Sequence, residues 1–335
     1  MSSLLFALAL LARGQLVENV PCARDASQTY TLYLPSQYTA DRRWPVLLVL
    51  DPRGRGTKAA EVFRPAAEAN GWILLSSNGT RSDTNGDEND RAVTAISGEL
   101  SQYAIDDHRI YAAGFSGTAT IAWLLAKQQH LTGVIASCPP WQDELDAAHV
   151  PFAYFVATGT TDFNNLDARR IDREIARSGK PHHLEVFDGS HQWMPQAVAM
   201  RAVEWMQHPS IDAQPESREE LAAERYERRT VERTVAALRR IVAASEPQTI
   251  AQMERQLDLP AIRKAAAQND EQGLAARRVL EALFVQTSFY LPEKFRSRRD
   301  YVRAATVLEI AAAIKPDRRD VQDELARAKA QAAQR

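Results

Sequence analysis

The sequence predicts an α/β protein, a doubly wound, mostly parallel sheet followed by an all-α helical domain. Three observations predict it. Short apolar runs alternate with helical patterns up to about residue 208, as in sheets that carry helices on both faces. Of the 14 glycines only Gly273 lies beyond position 209, so turn-forming composition stops there. Past that point Ala, Arg, Glu and Leu dominate, which favours helix. Pro209 and Pro215 bracket a polar stretch at the join. The expected division is therefore a domain over 15–208, a linker at 209–216 and a helical domain over 217–335.

Each element follows from its pattern. Residues 30–34 (Tyr-Thr-Leu-Tyr-Leu) alternate with period two, as a strand with one buried face does. Residues 45–50 and 72–75 are unbroken apolar runs, the mark of central strands covered on both sides. Further strands are expected at 109–113, 131–136, 152–157 and 184–187, with an early one at 15–20 that forms an antiparallel edge with the Tyr30 strand. Helices are expected at about 58–69, 90–104, 117–128, 165–178 and 194–207. The second segment reads as helices over 217–244, 247–256, 259–268, 271–289 and 297–334, broken at Pro316. Within it Tyr301, Ala304, Leu308, Ala311 and Pro316 match the second helix of a tetratricopeptide repeat, and Leu325 and Ala326 fit the next helix. An ordinary packed helical hairpin accounts for the same residues.

Composition excludes several functions. With 45% hydrophobic and 25% charged residues the chain is of ordinary globular type. Lys+Arg 41 against Asp+Glu 43 leaves a net charge of −2, which offers no basic field to a nucleic acid. No run reaches the roughly 18–20 apolar residues of a membrane span. The longest apolar stretch runs from Leu4 to Ala12 and has the length of a signal-peptide core, with small Ala12 and Gly14 placed for a cut before Gln15. Residues 1–14 are therefore expected to direct export, giving a secreted or periplasmic protein. The absence of Lys and Arg from Met1-Ser2-Ser3 leaves an ordinary N-terminal helix of a cytoplasmic protein as the alternative. Cys22 and Cys138 have no metal-ligand spacing and read as two unpaired thiols; a disulfide between them would require export. No cofactor or metal is expected.

The strongest local signal is Gly114-Phe115-Ser116-Gly117-Thr118, between an expected strand and an expected helix. That is the setting of a nucleophile elbow, which lifts a serine Oγ out of the sheet onto a helix N-terminus. The fifth position is Thr118 where the motif has Gly, and a serine capping a helix after a strand is the plainer reading of the same residues. A serine needs a base. Among the 7 histidines only His191 lies just past the last strand, in Phe187-Asp-Gly-Ser-His191. His108, His130, His182 and His183 open strands and read as surface or strand-cap residues, while His149 and His208 lie in loops. The acid that orients the base is expected after the preceding strand, at Asp162, with Asp167 and Asp188 next in line. An Asx turn or helix cap would also use Asp162. An oxyanion would take two backbone N–H donors: Gly117, and one from the turn Asp51-Pro52-Arg53-Gly54, where Pro52 has none, leaving Arg53 and then Gly54. Asn78 and Trp193 are candidates to line a substrate pocket, although a Trp beside the His loop is equally explained by packing.

Residues 15–208 resemble the α/β-hydrolase superfamily, and in particular bacterial exported esterases of the feruloyl esterase, polyhydroxybutyrate depolymerase and dienelactone-hydrolase-like kinds. The carriers are Tyr30-Thr-Leu-Tyr-Leu-Pro-Ser, Leu50-Asp-Pro-Arg-Gly, Ser76-Ser-Asn78, residues 105–117 and Phe187-Asp-Gly-Ser-His-Gln-Trp. Similar proteins often have Gly or Ala at Thr118, and commonly His-Gly at Asp51-Pro52. The resemblance implies a serine hydrolase that cleaves a small-molecule or oligomeric ester through an acyl-enzyme. Ser116 would be nucleophile, His191 base and Asp162 its partner. A serine peptidase and a catalytically idle module that binds a protein partner through the helical tail are the alternatives.

Overall fold

The computed structural model describes residues 12–82, 86–142, 145–212 and 216–334. The chain divides into two compact units, Met1–Gln214 and Pro215–Arg335. Most of the expected leader, residues 1–11, lies outside the described residues.

In the first unit the strands are β1 (Leu16–Pro21), β2 (Thr29–Tyr33), β3 (Trp44–Leu50), β4 (Ile73–Ser77) and β5 (Ile105–Phe115). They continue with β6 (Gly133–Ser137), β7 (Ala153–Gly159), β8 (His182–Phe187) and β9 (Ile211–Asp212). One 9-stranded sheet runs β1-β2-β4-β3-β5-β6-β7-β8-β9. The β1–β2 and β2–β4 pairings are antiparallel and every other pairing is parallel. The helices between strands are α1 (Gly56–Asn70), α2 (Gly86–Gly98), α3 (Gly117–Gln129), α4 (Asn165–Ser178) and α5 (Gln196–Gln207).

Alternate residues of the central strands supply two separate cores. Val46, Leu48 and Leu50 of β3 face α2, α3 and α4 with Ile96, Trp123 and Ile171. Leu47 and Val49 face α1 and α5 with Phe63, Val198 and Val203. Burial on both faces is why 45–50 reads as an unbroken apolar run. Cys22 belongs to the first core and Cys138 to the second, and both thiols are free.

Three expectations change. The stretch at 209–216 is not all linker, because Ile211 and Asp212 add β9 beside His182 and His183. The helix expected over 90–104 ends at Gly98 and tightens into a 3-10 turn, Glu99–Gln102. His182 opens β8, as one of its two readings has it, but not at the surface: it is fully buried, its Nδ1 2.7 Å from Asp172 Oδ1, while His183 pairs with Asp212 at 2.6 Å and so holds the last strand.

The second unit is helical throughout its described residues: α6 (Arg218–Ala243), α7 (Ile250–Gln256), α8 (Leu259–Ala266), α9 (Glu271–Val285), α10 (Leu291–Ser297), α11 (Tyr301–Ile314) and α12 (Arg319–Ala333). A π-helical segment, Gln286–Tyr290, joins α9 to α10, so helix fills the gap that the sequence left at 290–296. Ser217 and Glu220 form a reciprocal capping box at α6, which satisfies donors that a helix start leaves orphaned. Ala304, Leu308 and Ala311 of α11 and Val321 and Ala328 of α12 join one core. No helix among the described residues is long and apolar enough to cross a membrane.

Candidate active site

Strand register brings the site together. Leu50 at the end of β3 lies beside Gly114 of β5, and Phe115 lies beside Ser137 of β6. Gly159 at the end of β7 lies beside Phe187 of β8. Loops that leave these aligned carboxyl ends must converge, as parallel α/β sheets require of their ligand crevices.

Ser116 occupies the turn from β5 into α3 with φ 55° and ψ −132°. Such a conformation costs a non-glycine residue about 1–3 kcal/mol and persists only where its surroundings enforce it. Two contacts do so. A Cβ on Gly114 would stand 2.3 Å from the Thr118 carbonyl oxygen, so only glycine lets the strand and helix backbones approach this closely. The Thr118 hydroxyl, fully buried, accepts the Phe115 N–H at 3.1 Å and lies 2.6 Å from the Leu50 carbonyl. Where a glycine would leave the fifth position loose, Thr118 fastens the elbow to β3.

His191 Nε2 is 2.9 Å from Ser116 Oγ, and His191 Nδ1 is 2.7 Å from Asp162 Oδ1. The imidazole edge is 20% exposed while the Asp162 carboxylate is 0% exposed. The His loop is held from three sides. A Cβ on Gly159 would collide with the Gly189 and Ser190 carbonyl oxygens at 2.5 and 2.6 Å. Ser137 Oγ accepts the Met194 N–H at 2.9 Å, and the Cys138 thiol donates to the Gln192 carbonyl at 3.3 Å. The rings of Phe163 and Phe115 lie 4.0 and 4.8 Å from the imidazole.

Asp162 makes the contacts of a turn cap and touches His191 as well. Its Oδ1 accepts the Asn164 N–H at 3.0 Å, closing an Asx turn, and the His191 ring; Oδ2 accepts Thr158 Oγ1 at 2.8 Å. Burial alone would raise its carboxyl pKa. The hydrogen bond and charge of His191, the Cys138 thiol and the Asn164 N–H outweigh burial and hold it below the ordinary value. The same burial, with the Asp162 charge beside it, pushes the Cys138 thiol well up, so it stays protonated. Of the fallback acids, Asp167 has its pKa raised by burial and takes a backbone bond from Trp141, and Asp188 is exposed.

Around Ser116 the other expected groups are placed differently from the sequence reading. Gly117 is the first residue of α3, where an N–H has no intrahelical acceptor and points out of the helix. The other donor expected at the site is engaged elsewhere: the Arg53 N–H donates to Asp51 Oδ1 at 2.8 Å, and the Gly54 N–H to the Asp51 carbonyl at 3.2 Å. An aspartate opening a turn takes the N–H two residues on, and that local preference wins here. Asn78 is likewise committed, with Nδ2 on Thr29 Oγ1 at 3.0 Å and Oδ1 against Gly56. Trp193 donates Nε1–H to Asp51 Oδ2 at 2.9 Å and packs edge-on against Phe63.

Sequence reasoning missed the roles of Asp51, Ser137 and Cys138. Asp51 carried a signal, an Asp-Pro-Arg-Gly turn with an acid at its first position. Ser137 and Cys138 carried none, because only the β5–β6–β7 register brings them beside the His loop. Cys138 Sγ, an Asp162 carboxylate oxygen and a His191 ring nitrogen lie within 4.8 Å of one another. This trio could ligate a cation only by losing the thiol proton and the His191–Asp162 bond, so its donor atoms fit the hydrogen-bonded relay better than a metal.

No family model and no curated protein sequence matches the chain. Solved structures do. The chain is similar to a fluorophosphonate-binding serine hydrolase F of Staphylococcus aureus at 16% identity, covering 57% of this chain and 97% of that one, TM-score 0.46. It is similar to an esterase of Pyrobaculum calidifontis at 10% identity, covering 62% and 89%, TM-score 0.47. A ferulic acid esterase aligns at 17% identity over 57% and 97%, TM-score 0.44.

Proposed function

We propose that the chain is a serine hydrolase that cleaves carboxylic esters through an acyl-enzyme. The observation that carries this reading is the hydrogen-bonded series from Ser116 Oγ through His191 to buried Asp162, at 2.9 and 2.7 Å, mounted on a positive-φ turn. A merely structural serine needs neither the strained turn nor a histidine whose far nitrogen is held by a carboxylate. In the proposed reaction Ser116 Oγ attacks the acyl carbon while its proton passes to His191 Nε2. Asp162 keeps the imidazole in the tautomer that presents a free Nε2 and stabilises the imidazolium. The oxyanion takes the Gly117 N–H as one donor. Collapse expels the alkoxide, which leaves with the His191 proton. Water, deprotonated by His191, then attacks the acyl-serine, and Ser116 recovers its proton as the acid leaves. The esterase resemblance of the sequence favours ester over amide.

A fluorophosphonate probe tests this directly. The wild-type chain is expected to label at Ser116 and to hydrolyse small aryl esters, and Ser116→Ala to do neither. His191→Ala should lower kcat by about 10^4- to 10^6-fold, as loss of a triad member does. A folded wild-type chain that resists the probe and leaves esters intact would turn the reading to the idle binding module. Cleavage of peptide amides in preference to esters would turn it to a peptidase.

A further inference from the structure

The Asp51 carboxylate is fully buried, and the reaction proposed above uses none of its atoms. It follows β3 directly, beside the elbow, and its two oxygens serve two different loops. Oδ1 accepts the Arg53 and Arg55 N–H groups at 2.8 and 3.1 Å, with Arg55 Nε at 3.2 Å. Oδ2 accepts the Trp193 indole N–H at 2.9 Å, with Arg55 Nη2 at 3.4 Å. Trp193 stands two residues beyond His191, and its ring lies 5.6 Å from that of Phe115, the residue before the nucleophile.

Turn capping and the Arg55 ion pair account for Oδ1, but they give no reason for Oδ2 to take the indole of another loop. An apolar side chain avoids the desolvation that a buried carboxylate incurs. An asparagine could cap the turn or accept from Trp193, but it has one acceptor oxygen and cannot do both. Only a carboxylate of this length satisfies the turn and the indole together. We propose that Asp51 is a positioning residue that locks the turn after β3 to the His191 loop, so that the base and the groups around the nucleophile keep one geometry. The effect on rate rests on the hydrolase reading; the lock between the loops does not.

Asp51→Asn and Trp193→Phe test it. The first keeps the shape and removes one acceptor; the second keeps an aromatic ring and removes the N–H together with the pyrrole half of the indole. Each is expected to lower kcat by about 10- to 100-fold with KM changed less than about threefold, the mark of misplaced catalytic groups rather than lost binding. Because the link between the two loops is broken in either single variant, the double variant should be no slower than the slower single variant. Hydrogen exchange read by mass spectrometry should rise in Asp51→Asn over 52–55 or 188–195, whichever side the single amide oxygen leaves without an acceptor, and over 52–55 in Trp193→Phe. If the variants lose thermal stability while kcat per folded site is unchanged, or if their kinetic effects multiply, the proposal is overturned. Should the wild-type chain resist the fluorophosphonate probe, the hydrolase reading fails by itself. Exchange still decides the lock: unchanged protection over both 52–55 and 188–195 in Asp51→Asn refutes it. If Asp51→Asn does not fold, Trp193→Phe, which leaves the turn's own hydrogen bonds in place, carries the same comparison.

Discussion

At the residue scale the site is governed by where charge is buried. Asp162 has no exposed surface, yet its carboxyl is held below its ordinary pKa, near 3.8, because bonds from His191, Cys138 and Asn164 outweigh the cost of burial. The sign of its pH effect follows. A carboxyl whose folded pKa is depressed stabilises the fold above its unfolded pKa, and the contribution disappears as pH falls through the folded value. Asp162→Asn is therefore expected to lose about 1.5–3 kcal/mol at pH 7, the range for hydrogen bonds to a charged group. The difference from wild type should shrink steadily once the pH drops below about 4. Urea unfolding of both proteins at pH 7, 5 and 3 measures it. A gap that stays constant across this range would mean that the Asp162 carboxyl has the same pKa folded and unfolded, and one that widens as the pH falls would mean that its pKa is raised by folding.

At the element scale the turn between β5 and α3 is a joint held by its neighbour β3. Thr118 replaces the glycine common at the fifth position of the motif, and its hydroxyl bonds Phe115 within the turn and the Leu50 carbonyl across it. Valine has nearly the same shape and no hydroxyl, so Thr118→Val leaves the Phe115 N–H without its acceptor in a buried place. The expected cost is about 1–3 kcal/mol of stability. A fall in kcat should accompany it, since Ser116 is mounted on that turn. Chemical denaturation with active-site titration separates the two effects. A variant as stable as wild type would show that the hydroxyl is not what fastens the elbow.

At the scale of the whole molecule, two units have cores of their own. The two clusters that flank the sheet draw on residues up to Met206, and the two helical clusters begin at Tyr226. A fragment ending at Gln214 is therefore expected to fold cooperatively and to label with the fluorophosphonate as the full chain does, checked by thermal unfolding and gel fluorescence. Its preference between short and bulky esters then assigns the helical unit. A changed preference means that the helical unit takes part in choosing the substrate, and an unchanged one that it does not. Failure to fold would mean that the sheet unit depends on the helices despite its separate cores.

The sequence by itself determined the architecture, because periodicity is a local record of burial. Unbroken apolar runs marked the strands covered on both faces, and the loss of glycine marked the change to helices. It also named Ser116, Asp162 and His191, since each follows its own strand, and a parallel sheet collects the carboxyl ends of its strands on one edge. It could not show what those loops do to one another. Whether the Arg53 N–H is free depends on the Asp51 side chain folding back on its own turn. What Asp51 does with its other oxygen depends on an indole 142 residues away. The two-residue β9 was invisible because too short a segment carries no period, and it exists only through its pairing with His182 and His183. Cys138 read as a plain thiol until register set it beside Asp162. Pattern along the chain reports which face of an element is buried. Partners of polar groups are chosen across elements, at distances that no local pattern encodes.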